Sequence, residues 1–314
     1  MKIYVESAVN DNERCLLKEV AAGHELWMAL PGVVKPEDEI AFSEAEVVLG
    51  AVSKDLLKKA KRLRWIQFPS VGVDDYRGVD WSVSGEKVTC TNLRGVFDEP
   101  VAQTVLAGVL AHYRGFRPLM QLQVSHDWQK LRLRPQLRVL RNAQVLMLGN
   151  GSLANRIRTL LSAFGCTFTV FARSTGDIHS LAELDVAIAQ ADIVCAALPE
   201  TPLTKGLIDA QRIGRMKRGA FFVNVGRGSL VDEPALRLAL QSGQLDGAVL
   251  DVTKSEPLTK EDALWDVERL FLTQHTSAGS DQEIADTIRF FGKNLARYQA
   301  QQSLLNVVDW DRGY

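Results

Sequence analysis

The chain has 314 residues, and 37 Lys and Arg against 38 Asp and Glu leave a formal net charge of −1. At about 150 residues per domain this length suggests two domains, and the balanced charge argues against a dedicated nucleic-acid binder, which carries a basic excess. With 46% hydrophobic and 24% charged residues wholesale disorder is excluded, and no apolar run reaches the ~18 residues of a membrane span.

Met1-Lys2-Ile3-Tyr4-Val5-Glu6 reads as a strand and lacks the apolar stretch of a signal peptide. Four cysteines (Cys15, Cys90, Cys166, Cys195) stand far apart with no CxxC pair. Neither a metal site nor a disulfide framework is therefore expected, and the cytoplasm is the expected compartment. Residues 45–50 and 64–68 read as strands around a basic helix over 54–62. Residues 99–116 form a helix, with Val101, Val105, Leu106, Val109 and Leu110 at helical spacing and Pro100 in the first turn. The Arg-rich stretch 117–140 carries little strand signal and reads as a solvated or interface arm. Then strands are expected at 144–148, 167–172, 193–197, 221–225, 247–251 and 270–273, a helix at 283–300, and a closing strand at 305–309 that rejoins the first domain. Strands alternating with helices make βαβ units and parallel sheets, so the fold class is α/β.

The expected strand 144–148 runs into Gly149-Asn150-Gly151-Ser152-Leu153-Ala154 and a helix over 155–164. A GxGxx(G/A) string is weak alone, but here it lies between strand and helix as a dinucleotide site requires. Gly149 permits the tight turn and Gly151 the approach of a pyrophosphate. Ser152 and Leu153 lead into the helix, whose free N–H groups and dipole favour that anion. The plainer alternative is a glycine turn that binds nothing. The next expected strand ends Phe171-Ala172-Arg173-Ser174-Thr175. No acid stands there to accept the ribose 2′-OH of NAD, and Asp177 comes several residues too late. Arg173, with the hydroxyls of Ser174 and Thr175, suits the 2′-phosphate of NADP. NADP(H) is thus the preferred cofactor, with NAD(H) possible.

In open parallel sheets ligands bind beyond the carboxyl ends of strands. Three successive expected strands deliver Arg227, then Asp251 and Glu256, then His275 to that edge. The other histidines (His24, His112, His126, His179) read as surface residues. A 2-oxo acid needs a cation for its carboxylate and carbonyl, which Arg227 supplies. Hydride addition makes an alkoxide, which His275 protonates. Glu256 orients the imidazole and favours its protonated form. Asp251 is suited to the nicotinamide carboxamide.

At this point the sequence resembles the D-isomer-specific 2-hydroxyacid dehydrogenase family, and within it the glyoxylate/hydroxypyruvate reductases. The likeness runs through Ser70-Val71-Gly72-Val73-Asp74, Asn92-Leu93-Arg94-Gly95-Val96-Phe97, the Gly149 fingerprint, Leu198-Pro199-Glu200-Thr201 with Thr204, and Asn224-Val225-Gly226-Arg227-Gly228. It continues with Asp251-Val252, Glu256-Pro257, His275 and the ending 308–314. The resemblance implies two Rossmann-like or flavodoxin-like parallel-sheet domains with the active site in the cleft between them. Residues 1–97 and 286–314 would bind substrate and 98–285 the dinucleotide. It implies Arg227, Glu256 and His275 as the catalytic set, and backbone N–H groups at Val71 and Gly72 for the substrate carboxylate. Leu198, Pro199, Thr204, Val225 and Gly226 would lie around the cofactor. Trp81 and the Asn92 loop are candidate pocket walls. It also implies a homodimer, with the 99–116 helix and the Arg-rich arm at its interface, and a small 2-oxo or 2-hydroxy acid as substrate. Departures are Gln274 where a Pro usually precedes the histidine, Gln103 where Glu is common, and a more polar stretch after His275. The alternatives are a dinucleotide-sensing corepressor with little turnover, an NAD-linked phosphoglycerate dehydrogenase-like enzyme, and an S-adenosylmethionine-dependent methyltransferase. The last gives no reason for Arg227, Glu256 and His275 to converge.

Overall fold

A computed structural model describes residues 1–83 and 85–313; Tyr314, the last residue of the ending noted above, lies outside the described residues. The chain divides into two compact units, Met1–Phe97 with Ser280–Tyr314, and Asp98–Gly279. In chain order the first unit contains β1 (Lys2–Glu6), α1 (Asp11–Val20), β2 (Glu25–Ala29), α2 (Pro36–Ser43), β3 (Val47–Leu49), α3 (Lys54–Leu57), β4 (Trp65–Gln67), the hairpin β5 (Ser82–Val83) and β6 (Glu86–Lys87), and β7 (Thr89–Thr91). The second contains α4 (Asp98–Tyr113), α5 (Phe116–Val124), α6 (Lys130–Leu133), β8 (Gln144–Leu148), α7 (Ser152–Ser162), β9 (Thr167–Phe171), α8 (Leu181–Ile188), β10 (Ile193–Ala196), α9 (Ala210–Arg215), β11 (Ala220–Asn224), α10 (Glu233–Gln241), β12 (Leu245–Leu250) and β13 (Leu270–Leu272). Helix α11 (Glu283–Gln299) returns to the first unit.

The first unit holds a five-stranded sheet in the order β2-β1-β3-β4-β7, all neighbours parallel. Both faces are covered, so the central strands β1 and β3 are mostly apolar on both sides rather than alternating. Tyr4, Val48, Ile66 and Phe68 pack on one face with Phe42. Ile3, Val5 and Trp65 pack on the other with Leu17 of α1 and Phe291 and Leu295 of α11, where Trp65 stacks on Phe291 at 5.2 Å. Three expectations are corrected here. Helix α3 spans only Lys54–Leu57, begun by the Ser53 side chain on Leu56 N and burying Leu56 alone; the cations beyond it add no apolar face. Residues 305–309 form a single antiparallel bridge, Thr91 to Val307, rather than a strand, because Asn306 turns the chain through a left-handed φ of 53°. Trp81 is a core residue, buried and stacked on Trp310 at 5.5 Å, not a pocket wall.

The second unit holds a six-stranded parallel sheet in the order β13-β12-β11-β10-β8-β9. From β8 the chain runs outward to β9, then crosses back to β10 on the other side of β8. The order therefore reverses between β8 and β10, and ligands bind at the carboxyl ends beside such a reversal. The expected strands agree with these within two residues. Helix α4 is shorter than read, since Gly115 at φ 66° ends it, and the arm that followed without expected structure holds α5 and α6. His112 is not a surface residue: its Nε2 lies 2.8 Å from Asp246 Oδ2 and its ring packs 4.7 Å from Phe221. That hydrogen bond, with Arg138 and Arg269 nearby, holds the Asp246 carboxyl below its ordinary value.

Candidate active site

The loops after β8, β10, β11, β12 and β13 meet at one edge of the second sheet. Gly149 follows β8 with φ 113°, a backbone closed to L side chains, and a Cβ there would come within 2.8 Å of Ala197 O after β10. Its N–H donates to Phe171 O at 2.9 Å. Helix α7 begins at Gly151, which has no side chain to cap it, whereas Asn10, Ser180, Asp209 and Asp232 cap other helices with theirs. Its first N–H groups are thus left for an anion, and nothing lies within 4 Å of where a Gly151 Cβ would stand. This cradle fits the pyrophosphate of a dinucleotide. Ser152 hydrogen-bonds Asp98, whose carboxyl burial pushes up and this bond partly restores. Arg173 and Ser174 are exposed on the loop after β9. Asp177 faces away from any ribose role, since its Oδ2 accepts from Val170 N at 2.8 Å.

After β10, Leu198 and Pro199 are half-buried. Thr204 fixes their turn: its hydroxyl donates to Pro199 O at 2.7 Å and accepts from Thr201 N at 2.8 Å. Glu200 accepts from Ser229 Oγ, joining this loop to the next. After β11, Asn224 is fully buried; its Oδ1 accepts from Gly226 N at 3.1 Å and its Nδ2 donates to Arg227 O at 2.9 Å. Val225 is buried between them, and Arg227 Nη1 donates to Gly226 O at 2.7 Å. Gly228 lies against Thr253 so closely that a Cβ would stand 2.0 Å from its carbonyl carbon. That contact seats the Arg227 loop on the loop after β12.

There Glu256 Oε1 accepts from Thr253 N at 2.9 Å, and its Oε2 lies 2.7 Å from His275 Nδ1. A carboxylate only accepts, so Nδ1 carries the proton, and among the described residues Nε2 has no hydrogen-bond partner. The imidazole is half exposed. Lys254 N donates to Glu233 Oε1 at 2.6 Å, with the Glu233 carboxyl pushed up by burial. Asp251 is buried; Oδ1 accepts from Thr273 Oγ1 at 2.6 Å and Ser277 N at 3.1 Å, while Oδ2 accepts from Ser277 Oγ. The carboxylate therefore ties both ends of the His275 loop, and Asp251 O accepts from His275 N at 2.6 Å. Gln274 and His275 both take left-handed φ values, 53° and 55°.

The sequence reading missed Asn224, Thr253, Thr273 and Ser277. Asn224 carried a signal, a polar residue closing an apolar strand just before Gly-Arg-Gly; the others are ordinary loop residues. In the first unit the Ser70–Val73 turn is held by Asn92 Nδ2 on Val71 O at 3.0 Å and Leu93 N on Ser70 O at 2.9 Å. Val71 is exposed there and Gly72 half-buried. Among the described residues no cluster of three His, Cys, Asp or Glu is placed to hold a metal, and no helix is long and apolar enough to cross a membrane.

Comparison with known proteins agrees with this geometry. Residues 106–277 match the family model described as D-isomer specific 2-hydroxyacid dehydrogenase, NAD binding domain. The chain is similar to glyoxylate/hydroxypyruvate reductase B of Salmonella schwarzengrund, 32% identical over 255 residues, covering 77% of this chain and 78% of that one. Among solved structures it is similar to a D-isomer specific 2-hydroxyacid dehydrogenase family protein of Aeromonas salmonicida, with TM-score 0.86, 29% identity, and 98% and 99% of the two chains covered. It is similar also to that of Xanthobacter autotrophicus in complex with NADPH and MES, with TM-score 0.83, 27% identity and 99% of each chain covered. A glycine cradle at a sheet reversal, a paired histidine and carboxylate at the same sheet edge, and a family model spanning more than half the residues converge: the chain belongs to the D-isomer specific 2-hydroxyacid dehydrogenase family.

Proposed function

We propose that this protein is an NADPH-linked reductase of small 2-oxo acids, with glyoxylate and hydroxypyruvate as the first candidates. The observation that carries the reading is the Glu256–His275 pair, 2.7 Å apart, on loops beside the one that presents Arg227. Bound NADPH would supply the hydride. Arg227 takes the substrate carboxylate and polarises its carbonyl, and His275, as the imidazolium protonated on both nitrogens, gives its Nε2 proton to the new alkoxide. Glu256, accepting from Nδ1–H, holds the ring in the orientation that this transfer needs. Asp251, with its oxygens already serving Thr273 and Ser277, holds the histidine loop; a remaining lone pair on Oδ2 is available to a carboxamide N–H.

Gly149, Gly151, Ser152 and Leu153 are assigned to the pyrophosphate and Arg173 with Ser174 to the 2′-phosphate; Leu198, Pro199, Thr204, Val225 and Gly226 are assigned to the loops around the nicotinamide side. Val71 and Gly72 are assigned to the substrate carboxylate through their N–H groups. The unit Asp98–Gly279 is thus the cofactor unit and the other the substrate unit. The NADPH bound to the Xanthobacter relative supports the cofactor choice, and the Salmonella reductase supports the substrate class. A cytoplasmic homodimer completes the reading, supported by four free cysteines and by the exposed apolar arm.

The test is NADPH oxidation over a panel of 2-oxo acids. His275→Gln should lower kcat by about 10²–10⁴-fold, the usual worth of a general acid, while NADPH still binds. Full kcat in that variant would remove His275 as proton donor. NADPH binding without turnover on any 2-oxo acid would favour the sensor reading.

A further inference from the structure

The loop after β9 that carries Arg173 and Ser174 is fastened at two places. At its base, Val170 N donates to Asp177 Oδ2 at 2.8 Å, Asp177 N donates back to Val170 O at 2.8 Å, and His179 Nδ1 lies 2.6 Å from Ala172 O. At its tip, Asn150 Nδ2 donates to Thr175 O at 2.7 Å and to Thr175 Oγ1 at 3.1 Å. Arg173 and Ser174 are exposed between these anchors. Asn150 is the middle residue of Gly149-Asn150-Gly151, so its amide links the pyrophosphate turn to the loop after β9.

The orientation of that amide is set from behind. Arg158, on α7, donates through Nη1 to Asn150 Oδ1 and to Asn155 Oδ1, both at 3.2 Å, and its guanidinium lies 5.8 Å above the Phe168 ring. A guanidinium only donates, so Asn150 must turn its oxygen to Arg158 and its NH₂ to Thr175. Among the described residues Arg158 Nε is buried without a hydrogen-bond partner, a cost accepted for a group held in one place.

We propose that Asn150, oriented by Arg158, is a positioning residue that pre-forms the 173–175 loop for the 2′-phosphate and so sets the preference for NADPH over NADH. The inference rests on the NADPH reading above. Its physical basis is ordering: a loop already fixed loses little freedom when it closes on a dianion, whereas a loose one must be immobilised at that moment. NADH has no 2′-phosphate and gains little from the same order.

The experiment measures the dissociation constants of NADPH and NADH by titration, and kcat with saturating NADPH, for Asn150→Ala, Arg158→Met and Arg173→Ala. Asn150→Ala should weaken NADPH about tenfold, the worth of one or two neutral hydrogen bonds. NADH should stay within about twofold and kcat should stay unchanged. Arg158→Met, which keeps the packing on Phe168, should weaken NADPH about threefold with the same selectivity. Equal weakening of both cofactors would mean that Asn150 only shapes the glycine turn, and no change in either would mean that the tip anchor is idle; either result overturns the proposal. Arg173→Ala separates the underlying reading. If it leaves the NADPH-to-NADH ratio untouched, Arg173 does not meet the 2′-phosphate. If Asn150→Ala is then still selective, the loop itself holds that phosphate.

Discussion

Gln274 occupies the position before the candidate acid, where the family resemblance implies a proline. Its φ of 53° is out of reach for proline, whose ring holds φ near about −65°. Two successive left-handed residues are costly, about 1–3 kcal/mol each, and persist only where neighbours over-determine them. Here Thr273 and Ser277 on Asp251, with His275 N on Asp251 O, do so. The expected outcome is that Gln274→Pro loses more than about 1 kcal/mol in denaturant unfolding and loses kcat, because the pinned loop moves His275. Gln274→Gly, which accepts this backbone, should stay within about 1 kcal/mol of the parent. Equal behaviour of the two variants would show that the left-handed pair is not what seats the histidine. At this scale the candidate residues Arg227, Glu256 and His275 were legible because they are chemically conspicuous at strand ends, and the structure brings Glu256 and His275 together. Thr273 and Ser277 were not, since a serine or threonine in a loop announces nothing until the carboxylate that it serves is in place.

Helices and strands were legible to different degrees. Strands buried on both faces write themselves as apolar runs such as Val145-Leu146-Met147-Leu148, so they were found within two residues. The extent of α3 was not, because Lys54 to Arg62 has helical composition without an apolar stripe to hold it. Helix α8 shows how local chemistry sets an end. Its N-cap Ser180 accepts from Glu183 N at 3.2 Å, and Glu183 Oε2 accepts in return from His179 N at 3.0 Å, Ser180 N at 2.8 Å and Ser180 Oγ at 2.8 Å. The His179 and Ser180 N–H groups, in that order, and then the Ser180 hydroxyl lower the Glu183 carboxyl from 4.5 to about 2. A folded-state value below the unfolded one gives stability that is present above pH 4.5 and lost as pH falls toward 2. Glu183→Gln mimics the protonated form. The parent should therefore be more stable than Glu183→Gln at neutral pH, with the gap in Tm closing across that acid window. A gap unchanged by pH would show that the box does not titrate.

At the scale of the whole molecule, the second parallel sheet was legible from βα alternation, whereas of the first only β1, β3 and β4 were, and the covering of neither sheet was. The arm over 117–140 shows why: its composition is basic, and only folding reveals that α5 and α6 leave apolar side chains in water. Val124, Trp128 and Leu131 are each more than four-fifths exposed, and Met120 and Val139 are exposed beside them in the sequence. Large apolar side chains left exposed in one stretch of chain favour an association surface, and a stable interface buries about 1,000 Å² or more in total. Met120 and Val124 stand four apart on α5, one above the other on a single face, while α4 lays Val101, Val105 and Val109 inward on its own unit; the homodimer proposed above would cover that face. Charged residues inside such a patch would stay desolvated without partners and oppose its closure. The purified chain should therefore sediment at roughly twice its 34.8 kDa at micromolar concentration. Val124→Asp with Leu131→Asp should bring it to the single-chain mass while the circular dichroism spectrum stays that of the parent. A parent that sediments as one chain would leave the arm without a second copy to cover it.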